Sequence, residues 1–260
     1  MKTKQRRIGL ARALSKLGYC SRSRAAEFIR TGRVRLNGAL RRDPETPVHL
    51  QKDRIAVDGI PVEPGRKIYL MMNKPRGLLT TAFDEKGRET IYSVLGSDDA
   101  LAWLAPVGRL DKASEGLLLL TNDSEWAARV TAPETHLEKI YHVQIGRVAD
   151  EAVIEAMQRG VAINGEIRRA RQCRLLRSGE KNSWLEVVLD EGRNRQVRRM
   201  LAGVDIEVLR LVRVAIGPLQ LGKLEKGSYR ALTTEEKLQL DNAMKLNSGV
   251  QHPGSKSPLL

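Results

Sequence analysis

Cysteine, aromatic side chains and long apolar runs are all scarce in this chain, and each scarcity removes a class of protein. Cys20 and Cys173 are the only cysteines, far apart and without a Cys or His neighbour at metal-ligand spacing. Neither a disulfide framework nor a zinc site is expected, and two free thiols suit a reducing compartment. No run of about 18 apolar residues occurs, so no membrane-spanning helix is expected. The basic N-terminus lacks the apolar stretch of a secretion signal. There is no phosphate loop, no dinucleotide-binding glycine pattern and no cluster of metal-ligating residues. The expectation is a cytoplasmic, monomeric protein with no membrane contact, whose chemistry uses neither metal nor cofactor.

What is present is positive charge. Among 260 residues, 45 Lys and Arg stand against 31 Asp and Glu, a formal net charge of +14, with 41% hydrophobic residues to build a core. The excess is concentrated at the start, where residues 1–65 hold 15 basic against 6 acidic side chains. Such a distribution points to a polyanionic partner. The basic stretch also carries folding signals. IGLARALSKLG places Leu10, Leu14 and Leu17 on one helix face and stops at Gly18. In the next helix Ser21 is the N-cap, Ala25, Ala26 and Ile29 form the apolar side, and Gly32 is the stop. VRLNGALR and RIAVDGIPVE then read as strands turning at Asn37-Gly38 and Asp58-Gly59. Arg22, Arg24, Arg33 and Arg35 decorate the second helix and its exit. SKLGYCSRSRAAEFIRTGRVRLNG resembles the RNA-binding module shared with the S-four ribosomal protein, the alpha-L domain, over residues 5 to about 52. The resemblance implies that these arginines face structured RNA.

After the link VEPGRK a larger domain begins. KIYLMM is an apolar strand ending in the turn Asn73-Lys74-Pro75-Arg76-Gly77. A short helix is expected over residues 88–95 and a strand from Trp103 to Val107. Leu117–Leu120, an apolar run bounded by turn signals, reads as a buried strand. Asp123 caps a helix running through Val130. EKIYHVQIGR alternates, with Ile140, His142 and Gln144 on one side and Tyr141, Val143 and Ile145 on the other. A helix DEAVIEAMQRG, a hairpin at Asn164-Gly165, two strands around Ser178-Gly179, a strand IEVLRLVRVAI and a final helix opened by Thr233 and Glu236 complete it. The fold class is α+β: a small N-terminal RNA-binding module over 1–65, a larger domain over 66–246 with a mainly antiparallel mixed sheet flanked by helices, and a disordered tail over 247–260.

Asp111 is the residue that most needs explaining, because a carboxylate seldom sits so near a core unless it is paired or used. Arg109, two residues away, lies on the same side in extended geometry and would hold it ionised, ready to act as nucleophile or base. An ordinary turn with a surface ion pair would leave the same local pattern. Glu115 is a second carboxylate in the same stretch, with nothing to fix its geometry. GRNRQVRRM carries Arg193, Arg195, Arg198 and Arg199. If it is helical from Asn194, Arg195, Arg198 and Arg199 share a face that suits phosphates, while Val197 and Leu201 point inward. Lys74 and Lys139 read most simply as solvated lysines, Tyr141 as strand packing, and His142 as a surface strand residue.

NKPRG, PVGRLDKASEGLLLLTND, EKIYHV, DEGRNRQVRRM and LVRVAIGPLQLGKLEKGSYRAL occur in the order and spacing of the bacterial ribosomal RNA pseudouridine synthases. They resemble the branch containing the small subunit synthase A and large subunit synthases B, E and F. GRNRQVRRM and EGLLLLTND are most similar to the large subunit synthase B group. Ser114 stands where the family commonly has Thr, Ser124 where Gly is usual and Ala132 where His is frequent. The resemblance implies isomerisation of a uridine in ribosomal RNA, with large subunit RNA favoured over small subunit RNA. A catalytically silent rRNA-binding assembly factor on the same fold is the alternative. It also implies Asp111 as the essential carboxylate, Arg193 as its partner by motif position, and Tyr141 stacking on the base. Arg109 would then fill the space left by the base or hold phosphate. Lys74, Arg76, Arg195, Arg198 and Arg199 would position the backbone of a stem-loop whose target uridine is flipped out.

Overall fold

The computed structural model describes residues 7–81, 84, 86–96 and 104–248. They divide into two compact units. One comprises the chain to Tyr69 together with Leu120–Ala127. The other comprises Leu70–Gly96, Pro106–Leu119 and the residues from Ala128.

In the first unit, helices Leu10–Lys16 and Arg22–Arg30 accompany a four-stranded antiparallel sheet ordered Ala39–Arg41, Val34–Leu36, Ile55–Val57, Ile60–Pro61. Leu10, Leu14, Ile29 and Val34 are fully buried and Val57 nearly so, which gives this basic segment a real core. Leu17, expected on the same face, is only half-buried. Tyr19 N–H donates to the Leu14 carbonyl at 3.0 Å as Gly18 takes φ +84, closing the first helix. The Ser21 hydroxyl accepts from Arg24 N–H at 3.2 Å and opens the second. Asn37-Gly38 and Asp58-Gly59 both adopt paired positive φ, the geometry whose twist matches antiparallel strands. Asn37 does more than turn: its side chain donates to Asp53 at 3.0 Å and accepts from Arg54 N–H at 2.8 Å. The segment leading out of the module is tied down within the same unit. The Asn122 amide accepts from Ile68 N–H at 2.9 Å and donates to the Arg66 carbonyl at 2.8 Å, and Lys16 pairs with Glu125.

The second unit is built on a mixed sheet with nine strands among the described residues. Its main order is Gln172–Ser178, Ser183–Leu189, Lys139–Ile145, Val208–Ile216, Glu115–Thr121, Tyr69–Lys74, Tyr229–Ala231. Val208–Ile216 runs parallel to Glu115–Thr121, and the other registered pairs are antiparallel. Central position explains the leucine run. Every residue of Glu115–Thr121 is buried and Leu117–Leu120 have no exposed surface, so neither strand face can carry a polar residue at ordinary cost. Gly116 is required at φ +101, because a Cβ there would come within 2.8 Å of the Arg213 nitrogen on the parallel neighbour. Helices Glu151–Arg159 and Gln196–Ala202 contribute Val153, Met157, Val197, Met200 and Leu201 to a core with Val143, Ile145 and Leu185.

Several local expectations shift. The helix expected over 88–95 is only Tyr92–Leu95, preceded by a bridge between Leu79 and Thr90. Strand residues Ala105–Val107 are present, while Trp103 lies outside the described residues. The basic helix starts at Gln196, not Asn194. The last helix, Thr234–Ser248, passes the expected end at 246. It opens with a reciprocal box in which Glu236 N–H donates to Thr233 at 3.1 Å and Thr233 N–H to Glu236 at 2.9 Å. Residues 249–260, expected to be a disordered tail, lie outside the described residues. Both cysteines are buried free thiols. Among the described residues no helix is long and apolar enough to cross a membrane.

Candidate active site

Asp111 sits on a turn after the strand Ala105–Val107, at the wall of a cavity of about 960 Å³. Its turn is held by the chain's own hydrogen bonds at every carbonyl from 110 to 114. Leu110 O accepts from the Thr80 hydroxyl at 2.7 Å. Asp111 O accepts from Ser114 N–H at 2.9 Å and from Lys74 Nζ at 3.2 Å. Lys112 O accepts from Gly77 N–H at 2.8 Å, and Ala113 O from Arg198 Nη2 at 3.0 Å. Ser114 O accepts from Lys74 Nζ at 2.9 Å. Five successive carbonyls with partners leave the turn little freedom, while the Asp111 carboxylate stays partly open to solvent.

Lys74 is therefore not a solvated, RNA-facing lysine as expected. It has no exposed surface, and its ammonium bridges Pro75, Asp111 and Ser114 carbonyls from beneath the turn. Burial pushes it down to about 8, against the opposing pull of Asp111 and Glu115. NKPRG thus works as a pair of anchors. Lys74 fixes the Asp111 turn, and Asn73 holds the later segment through its side-chain bond to Leu224 O at 2.7 Å and Gly227 N–H to Asn73 O at 2.9 Å. Arg76 in the same turn is exposed.

The partner of the Asp111 carboxylate is Arg195, at 3.5 Å, and not Arg193 or Arg109. Arg193 turns to carboxylates near its own loop, Glu191 at 2.9 Å and Glu166 at 3.4 Å. Arg195 has a left-handed backbone, φ +51, at the cap of helix Gln196–Ala202. That single reversal redirects its side chain relative to a helical register and takes it off the shared face expected with Arg198 and Arg199. Arg198 is half-buried and donates to Val208 O at 3.2 Å as well as to Ala113 O, so it braces the turn. Arg199 is exposed and donates to Asn194 at 3.0 Å. Arg109 is exposed on the cavity rim.

Glu115 is not a second reactive carboxylate. It is buried, with Arg210 at 2.9 Å and Lys226 at 2.5 Å. Burial works against its charged form, and those two cations more than offset it, holding the carboxyl below its ordinary value.

Tyr141 is buried and lines the cavity wall, with Arg213 opposite it on the neighbouring strand. Arg213 escaped notice in the sequence, although alternation along Leu211, Arg213 and Ala215 puts it on the inward face. It is 6% exposed and donates Nε to Leu117 O at 2.8 Å. Lys139 also lines the cavity, against the solvated reading. Burial pushes its ammonium down to about 8, Arg213 adds to the shift, and Asp190 opposes it. His142 is a half-exposed strand residue 3.4 Å from Glu186. In the first unit Arg22, Arg24, Arg33 and Arg35 are all exposed, though Arg33 already lies over the Phe28 ring at 4.2 Å and pairs with Asp58.

A carboxylate paired with an arginine on a rigid turn, beside a buried tyrosine, is suited to attack on a sugar carbon or to proton removal beside it. Residues 68–203 match the RNA pseudouridylate synthase model and residues 8–55 match the S4 domain. The chain belongs to the RNA pseudouridine synthase family. An uncharacterized RNA pseudouridine synthase of Aquifex aeolicus is 38% identical to the synthase, over 92% of this chain and 96% of the relative. The ribosomal large subunit pseudouridine synthase B of Bacillus subtilis is 32% identical, over 87% and 93%. A crystal structure of a pseudouridylate synthase superposes with a TM-score of 0.63 at 32% identity, over 90% of this chain and 99% of that one. The synthase is an RNA-modifying enzyme with an N-terminal S4 domain.

Proposed function

We propose that the synthase converts one uridine of large subunit ribosomal RNA to pseudouridine, with Asp111 as the catalytic carboxylate. The observation that carries this reading is the Arg195-paired Asp111 carboxylate on a turn whose carbonyls 110 to 114 are all hydrogen-bonded. The likeness to a relative named as a large subunit synthase supports the choice of RNA.

The reaction breaks the N1–C1′ bond, rotates the uracil and joins C5 to C1′. The C5 proton leaves and N1 gains one, so nothing is consumed. Asp111 either attacks C1′ or removes the C2′ proton, and both routes use the carboxylate that Arg195 faces at 3.5 Å. Tyr141 stacks on the base after it leaves the RNA stem. Arg109 and Arg193, which line the cavity, contact the RNA backbone with Arg76 and Arg199, and Arg22, Arg24 and Arg35 hold the flanking RNA through the module of residues 1–65. Residues 66–246 carry the chemistry. The test is to map pseudouridines in both rRNAs from cells with and without the protein. One large subunit position should lose its modification. A lost small subunit position would redirect the substrate, and unchanged maps would favour a silent assembly factor.

A further inference from the structure

Two cations on the cavity wall have no part in holding the Asp111 turn. Lys139 and Tyr141 are two residues apart on strand Lys139–Ile145 and so share its face. Arg213 is the register partner of Tyr141 on Val208–Ile216, which puts it on that face too. All three line the cavity that holds Asp111. Among the described residues, no hydrogen bond or ion pair engages the Lys139 ammonium. Arg213 Nη2 is buried without a partner. Burial does not ordinarily keep two like charges together and leave some of their donors unpaired, because each costs desolvation energy and they repel. The charges facing Lys139 are Arg213 from the neighbouring strand and Asp190 at the end of Ser183–Leu189.

Resting on the proposed uridine isomerisation, we infer that Lys139, supported by Arg213, is a catalytic residue that stabilises the uracil anion released when the N1–C1′ bond breaks. That bond breaks with its electron pair passing to the ring, where it spreads over N1, O2 and O4, while either C1′ bonds to Asp111 or C2′ gives its proton to Asp111 and a C1′=C2′ double bond forms. The detached base then carries a full negative charge in the cavity, whose lining sets Tyr141, Leu189, Leu211 and Ile216 beside these two cations. Fixed cations there act on a charge that the ground state lacks, so they lower the barrier without tightening RNA binding. When C5 joins C1′, the Asp111–C1′ bond breaks or C2′ takes its proton back from Asp111, so the negative charge returns to the carboxylate; the ring then loses the C5 proton and takes one at N1. The base is neutral again and no longer needs the ammonium. Lys139 transfers no proton in this sequence and enters only as a charged ammonium.

Single-turnover pseudouridine formation and RNA affinity are to be measured with the full chain on its rRNA substrate, for wild type, Lys139→Met and Lys139→Arg. Lys139→Met should lower the rate about a hundredfold, the scale of losing one preorganised donor, with the RNA Kd within about threefold. Lys139→Arg should recover at least about a tenth of the wild-type rate. Wild-type turnover should fall as pH rises through about 8, where Lys139 loses its proton, and Lys139→Arg should fall less steeply, keeping only the share that Lys74 contributes in the same range. A Lys139→Met rate within threefold of wild type, a loss confined to Kd, or Lys139→Arg as slow as Lys139→Met would overturn the assignment. Absence of wild-type turnover on every rRNA would count against the proposed function and not against this role.

Discussion

The two units of the synthase use positive charge in opposite ways. In the first, Arg22, Arg24 and Arg35 are exposed around a small core, where water and salt screen them. In the second, Lys74, Arg198 and Arg213 are wholly or largely withdrawn from solvent and spend their donors on backbone carbonyls at Pro75, Asp111, Ala113, Ser114, Val208 and Leu117. The same residue types therefore form an exposed basic surface in one place and internal struts in another. Net charge distinguishes neither use; the fate of each donor does.

The sharpest way to break this comparison is to remove a strut. Lys74→Met leaves the carbonyls of Pro75, Asp111 and Ser114 without that donor, and should cost about 1–3 kcal/mol of stability in a denaturant melt. Turnover should drop at least about a hundredfold through misplacement of Asp111, with RNA affinity nearly unchanged. A variant that loses affinity but keeps its rate would return Lys74 to the RNA-facing class. Next comes the choice between two arginines of one motif. Arg195→Met should slow turnover by about tenfold or more, while Arg193→Met should cost less than that, since a charge-assisted contact to the reacting carboxylate is lost only in the first. Equal effects would mean that the 3.5 Å pair with Arg195 does not decide the chemistry. The smallest effect on rate should come from the first unit. Changing Arg22, Arg24 and Arg35 together to Ala should flatten the salt dependence of RNA binding by about three in the log–log slope, about one per phosphate contact. The rate at saturating RNA should stay within about twofold, because those side chains act through the phosphate backbone alone.

Features governed by local geometry were legible in the sequence. Asn37-Gly38, Asp58-Gly59 and Asn164-Gly165 all turn with positive φ at both residues, as two-residue hairpins demand. Leu117–Leu120 are buried because an unbroken apolar run has no face to offer water. Features governed by one dihedral or by distant packing were not. The left-handed Arg195 backbone redirects a side chain that spacing assigned to a helix face, and nothing in GRNRQ forces that turn. Lys74 looks like a turn residue between Asn and Pro. Only the arrival of the 110–114 turn, far along the chain, gives its ammonium enough acceptors to be buried. Lys139 was within reach, since the alternation that turned Tyr141 inward applies equally two residues earlier.

The most direct test of the whole account is the single-turnover rate of Asp111→Asn, measured beside its affinity for the same rRNA. The substitution keeps the shape of the side chain and the bonded carbonyls of its turn, and removes only the carboxylate. No detectable pseudouridine with a Kd within about twofold of wild type is the result expected for a group that acts on the reacting atoms alone. Turnover within about tenfold of wild type would contradict it.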